Sequence, residues 1–275
     1  MGAVTPPRPR WRPRGQQAWL RGAVTGRRTR RGVLRWLTVL VLAVVYEGVA
    51  RAFFAGSAFL PPPSKVLTSG VRIFAQEGVL AALRTTAIEY GIAFGLATLI
   101  GVGLGAMLGT IPRVRGVGRD LLQVLMALPQ IAIYPIILLF FGIGPGAKVV
   151  FGLTHAVFPI VLGTMSGVGQ VEETLPRAVR AMGGGRLAVI WRAVLPSALP
   201  SVLTGLRVGA KMCLVGVLLA ELLSSAGGTG AQVLILSATL KGPQLYALAL
   251  GICLAAFVAN TIMVGVERRL TRWRG

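Results

Sequence analysis

Side chains that bind metals or act as nucleophiles are scarce in this sequence, which has two cysteines and one histidine. Cys213 and Cys253 stand in separate apolar segments with no CxxC spacing. They read as small buried hydrophobes rather than a disulfide or metal pair. His155 also lies in an apolar block, and one histidine with scattered carboxylates cannot build a metal shell. It reads as a packed or pore-lining side chain. No nucleophile–base constellation occurs, and no phosphate-cradling glycine loop ends in Lys-Ser or Lys-Thr. Neither chemistry on a substrate nor ATP hydrolysis is therefore expected of this chain, nor a cofactor or a metal.

Charge is scarce as well. Only 13% of residues are charged, against about 25% in a soluble domain. Apolar residues make up 54% and mean hydropathy is +0.73, the composition of an integral membrane protein. Acids are the rarest charges, eight against 29 Lys and Arg. A net charge of +21 would point to nucleic acid in a soluble chain, but the apolar blocks and the placement of the cations argue otherwise.

Six apolar stretches are long enough to cross a ~30 Å hydrocarbon core, which takes about 20 helical residues. They run near Val33–Phe54, Thr86–Ile111, Leu121–Phe141, Ala147–Val168, Leu199–Leu223 and Leu245–Val266. Residues 1–32 form a basic arm expected to be disordered or to lie on anionic headgroups, with a nucleic-acid arm or transit peptide as the rival. Residues 33–268 form an all-α, six-helix membrane domain, and residues 269–275 a tail. Alternate gaps collect 21 of the Lys and Arg, while the opposite gaps, including the one with Lys148, hold five. The positive-inside rule then puts both termini in the cytoplasm of a plasma-membrane protein.

Within the stretches, Gly91 and Gly95, then Gly101, Gly105 and Gly109, recur every four residues. That spacing opens a groove for close helix approach, either inside one subunit or at a moving or subunit-facing seam. Pro129 and Pro135 remove backbone donors and predict a kinked third span. Arg207, Lys211 and Glu221 lie within the fifth span, where charges face the interior, pair or snorkel. Lys211 is deep enough to face an anion. Glu47 and Arg51, at i and i+4, are expected to neutralise one another.

Between the fourth and fifth spans, at about 170–197, the sequence is basic and broken by Gly183-Gly184-Gly185. Leu175, Ala178, Val179 and Met182 share helical spacing, with Arg177 and Arg180 opposite. Leu187, Ile190, Trp191 and Val194 repeat it. Two short amphipathic helices are predicted, each below the ~12–15 residues that hold alone in water. They need a surface, either lipid headgroups or a groove on another protein.

This segment resembles the cytoplasmic coupling loop of ATP-binding-cassette (ABC) importer permeases: Glu-Ala-Ala, three residues, Gly, nine residues, then Ile-x-Leu-Pro. Gly183 and Leu195-Pro196 reproduce the spacing and Ala178 matches the first alanine. Arg177 stands where Glu is usual, Val179 replaces the second alanine, and Ala193 replaces Ile. "FLPPPSKVL", "LPQIAIYPIILLFFGIG", "VFPIVLGTMSGV", "LPSALPSVLTGLRVG" and "AELLSS" are similar to the nitrate/sulfonate/taurine branch, from about Leu60 to Arg269.

The resemblance implies a type I importer permease. Its partners would be a second permease copy, two ATPase subunits, an extracytoplasmic binding protein and membrane lipids, with no nucleic acid. It also implies inward transport by alternating access. Arg177, Ala178, Met182, Gly183, Leu187, Ile190, Trp191, Leu195 and Pro196 would form the ATPase-coupling loop. Pro129, Tyr134, Pro135, His155, Lys211 and Glu221 are the candidate path residues. The expected cargo is a small sulfonate-, taurine- or nitrate-like anion. A thiamine-precursor pyrimidine or another small solute is the alternative, and a secondary transporter or membrane scaffold is the reading from a different class.

Overall fold

The computed structural model describes residues 37–54 and 57–271. The basic arm, the start of the first apolar stretch and the end of the tail lie outside them. The chain divides into two compact units at Lys65–Val66. In the first, α1 covers residues 37–53. Arg51 Nε donates to Glu47 Oε1 at 2.6 Å, and the same carboxylate accepts from the hydroxyl and backbone N–H of Ser64. The expected i,i+4 neutralisation is thus present and is tied to Ser64.

The remaining elements are α2 (Pro63–Phe74), α3 (Glu77–Thr110), α4 (Pro112–Ala127), a 3-10 turn (Gln130–Ile133), α5 (Tyr134–Phe141), α6 (Pro145–Gly169), α7 (Thr174–Ala181), α8 (Arg186–Val189), a wide turn (Ile190–Val194), α9 (Leu195–Ser224), α10 (Thr229–Ala238) and α11 (Gly242–Leu270). Among the described residues there is no strand. Four helices are long and apolar enough to cross a membrane, and α4 with α5 makes a fifth if the bent pair is one span.

That pair corrects the expectation of a merely kinked third span. The chain turns by 79° between α4 and the 3-10 turn. The physical cause is Leu128-Pro129: proline forces its predecessor out of the helical region, and Leu128 is extended at φ −66°, ψ 140°. Two further helices, α2 and α10, fall where only connections are expected from the sequence. The second span also starts earlier, at Glu77 rather than Thr86.

The core of the second unit is α3, α6 and α9. Gly101, Gly105 and Gly109 of α3 lie on α6, where an added Cβ would come 2.7, 2.6 and 2.8 Å from Ile160, Thr164 and Val168. Gly91 and Gly95 meet nothing within 4 Å. Three of the five glycines of the expected seam are therefore packed inside the subunit and two are open. Helices α6 and α9 meet still more closely, since a Cβ on Gly163 would stand 2.6 Å from Gly205 Cα. Van der Waals contact through small residues is what holds helices together where lipid supplies no hydrophobic drive.

Candidate coupling hairpin and path residues

Helix α7 ends in a reciprocal pair of turn bonds. Gly183 N–H donates to Arg180 O at 2.9 Å and Gly184 N–H to Val179 O at 2.9 Å. Gly183 takes φ +82°, a conformation that strains any residue with a Cβ. Gly184 is held for a different reason, as a Cβ there would stand 2.7 Å from Val179. The two arms then close over Val179, Val189 and Ala193, with Ala188 and Val194 packed alongside.

This closure splits the apolar stripes expected from the sequence. Val179 and Val194 turn inward, while Leu175, Ala178, Met182, Leu187, Ile190, Trp191 and Leu195 remain exposed. Met182 is 78% exposed, Leu187 72% and Trp191 66%. Arg177 pairs with Glu173 one turn earlier. The site where the family pattern has an acid is thus occupied by a cation that is bound within its own helix.

The second arm is not the separate short helix predicted. Arg186–Ser224 forms one 39-residue helix. Leu195 N–H reaches back to Ile190 O, a wide turn that spreads the backbone where Pro196 has no N–H to donate. Leu195-Pro196 is therefore a modified turn inside a continuous rod. Arg115 of α4 donates to Gly169 O at 2.7 Å, anchoring the end of α6 from which the hairpin departs. An open hollow of about 440 Å³ lies beside the hairpin, lined among others by Arg115, Val168, Arg177 and Val194.

The path candidates fall into three places. Pro129 and Pro135 are exposed at the break in the third span. Tyr134 is buried, with its O–H donating to Ala220 O at 3.0 Å and its ring 4.8 Å from Phe151. His155 lies edge-on to Phe151 at 4.5 Å, with Nδ1 2.9 Å from Phe151 O. Glu221 follows Ala220 in α9 and is fully buried. The structure thus brings Tyr134, His155 and Glu221 to one region, and α9 packs on His155 at Gly216.

Lys211 lines an apolar slot of about 230 Å³ between α3, α9 and α11, together with Tyr90, Arg207 and Asn260. The slot also reaches Thr86 and Thr229, which donate to Glu221. Arg207 stands 3.1 Å from Glu267 of α11, an ion pair without an aligned hydrogen bond on that oxygen.

Four polar residues of this region escape the sequence reading. Lys148 lies in the first turns of α6 with none of its side chain exposed, and its Nζ donates to Glu89 Oε1 at 3.1 Å. The same ammonium donates to Ala226 O at 2.7 Å and Gly227 O at 3.2 Å. Thr86 Oγ1 donates to Glu221 Oε1 at 2.6 Å and accepts from Thr229 N–H at 2.9 Å. The expectation that Lys148 is a connecting-loop cation is therefore corrected: it is a buried charge. The available signal was Glu89 as the single charge in the predicted stretch Thr86–Ile111.

Residues 97–274 match the family described as binding-protein-dependent transport system inner membrane component. The chain belongs to this family. It is 30% identical to the taurine transport system permease protein TauC of Escherichia coli (strain K12), covering 86% of this chain and 88% of that one. It is 22% identical to the putative aliphatic sulfonates transport permease protein SsuC of Bacillus subtilis (strain 168), with 85% of each covered. The formylaminopyrimidine transport permease protein ThiX of Halalkalibacterium halodurans is 26% identical, over 86% of this chain and 94% of its own. The fold is also that of the permease in inward-facing structures of the MetNI methionine ABC transporter, at a TM-score of 0.54 and 18% identity, covering 74% of this chain and 97% of that one. The protein is accordingly an inner-membrane permease component of an ABC importer, a family that works with an ATPase and a solute-binding protein.

Proposed function

We propose that this permease carries a small organic sulfonate of the taurine kind inward, as one of two identical copies flanking the path. The observation that carries the cargo is the 30% identity with TauC, sustained over 86% of this chain. Reaction chemistry lies elsewhere in the complex, with ATP hydrolysed on two partner subunits. The exposed stripe of Met182, Leu187, Ile190 and Trp191 is the surface that an ATPase groove would cover. A helical face of this kind is read by its apolar anchors. The charge asymmetry of the gaps favours a cytoplasmic hairpin and cytoplasmic termini. Tyr134 and His155 are the better-supported path residues, because they share Phe151 at the junction of α5, α6 and α9. Lys211 supplies a cation in the slot that also reaches Thr86 and Thr229.

The test is uptake into proteoliposomes holding the permease, its ATPase and its binding protein. Labelled taurine should accumulate with ATP inside the ATPase compartment, and nitrate and formylaminopyrimidine should not. Accumulation of formylaminopyrimidine alone would replace the sulfonate reading with the pyrimidine one.

A further inference from the structure

Lys148, Glu89 and Glu221 form a buried cluster at the end of α6 and α9 opposite the hairpin. Lys148 stands near the start of α6, whose far end leads to the hairpin. Glu221 stands near the end of α9, whose continuous helix begins in the hairpin's second arm. At about 1.5 Å per residue, Trp191 and Glu221 are roughly 45 Å apart along that rod.

The cluster is fitted to one connection, Ser225–Gly228, between α9 and α10. Gly227 and Gly228 take φ +83° and +88°. A Cβ on Gly228 would come 2.0 Å from Glu221 Oε1, so the loop is wrapped directly on the carboxylate. Glu221 Oε2 accepts from Gly230 N–H at 2.7 Å, placing its negative charge at the N-terminus of the ten-residue α10. Lys148 holds the same loop from the other side through the carbonyls of Ala226 and Gly227. Glu89 in turn holds Lys148, but its Oε2 has no hydrogen-bond partner. The cluster is thus satisfied around the loop and unsatisfied behind it, as suits a contact made to hold backbone in place.

We propose that Lys148 is a positioning residue that clamps the α9–α10 loop, so that displacement of the hairpin moves the loop and α10 only as one piece with α9. This rests on the reading of the hairpin as the ATPase dock. With the clamp in place, hydrolysis and opening of the far end are tied together. Without it, the rod can move while the loop stays behind.

The test uses the double variant Lys148→Met with Glu89→Leu in the assembled transporter. Replacing a buried ion pair by apolar side chains of similar volume commonly leaves a fold intact. The variant should bind the ATPase normally and hydrolyse ATP, while substrate moved per ATP falls about tenfold, the expected loss for charge-assisted hydrogen bonds. A charge-swapped variant, Lys148→Glu with Glu89→Lys, restores the pair but leaves a carboxylate facing two carbonyls. It should stay uncoupled. Wild-type transport per ATP in either variant overturns the clamp, as does loss of ATPase binding in the double variant. Failure of the docking reading registers separately, as absence of ATPase binding to the wild-type hairpin.

Discussion

At the hairpin end of α6 and α9, the side chains able to bind something point outward; at the far end, they point at one another. The hairpin closes on three small residues, Val179, Val189 and Ala193, and leaves Met182, Leu187 and Trp191 uncovered. The far end buries a lysine, two glutamates and two threonines with side chains almost wholly enclosed. The energetic consequences differ in kind. Truncation at the hairpin removes contacts that the subunit does not make by itself. Truncation at the far end strands a charge in a medium that cannot solvate it. One rod, Arg186–Ser224, belongs to both ends.

The largest effect is expected from breaking the far end alone. Lys148→Met removes the cation and leaves Glu89 buried and uncompensated, a change that costs about 3–5 kcal/mol. The midpoint of thermal aggregation in detergent should fall sharply, and most of that loss should be recovered when Glu89→Leu is added. A single variant as stable as wild type would mean that the pair contributes nothing to holding the subunit together.

Trp191→Ala reverses the pattern. The side chain is 66% exposed, so the protomer's own stability should hardly change. Association with the ATPase should weaken by about 2 kcal/mol or more, roughly thirtyfold, if Trp191 is a central aromatic anchor. Measuring ATPase binding in detergent, with no bilayer present, separates a protein groove from a lipid surface. Equal affinity of wild type and variant assigns the stripe to lipid.

The same contrast explains what could be read in the sequence. The hairpin is visible because its information is local: apolar residues at helical spacing, arginines opposite and a glycine turn all fall between Leu175 and Val194. Which of those apolar residues close the hairpin is not visible, because the stripes of both arms are wider than the contact between them. The far end is hidden for the opposite reason. Lys148 follows a Gly-Pro-Gly turn and has the local signature of a loop cation, while Glu89 and Ala226 lie 59 and 78 residues away in the chain. Glu221 is conspicuous as an intramembrane acid, yet the threonine and backbone N–H that hold it come from α3 and α10. The proline at 129 signals a break, but the contacts of Tyr134 with α6 and α9 beyond it are long-range and leave no local mark.

The smallest effect, and the finest test of the comparison, is at Gly183. Its φ of +82° is set by the two bonds that end α7, and a Cβ added there would meet nothing within 4 Å. Gly183→Val therefore introduces strain without a clash, about 1–2 kcal/mol for a residue forced into left-handed geometry. Because Val179, Val189 and Ala193 are the only buried side chains that close the hairpin among the described residues, this strain is comparable to what holds the arms together. The arms should part while the α3–α6–α9 core stays folded. Proteolysis should then cleave near Arg180 and Arg186 faster in the variant, with an unchanged aggregation midpoint for the membrane domain. Gly183→Ala, which keeps most of the strain but not the β-branch, should fall between the two. Equal cleavage rates in all three proteins would mean that the hairpin is held by something other than the turn at Gly183.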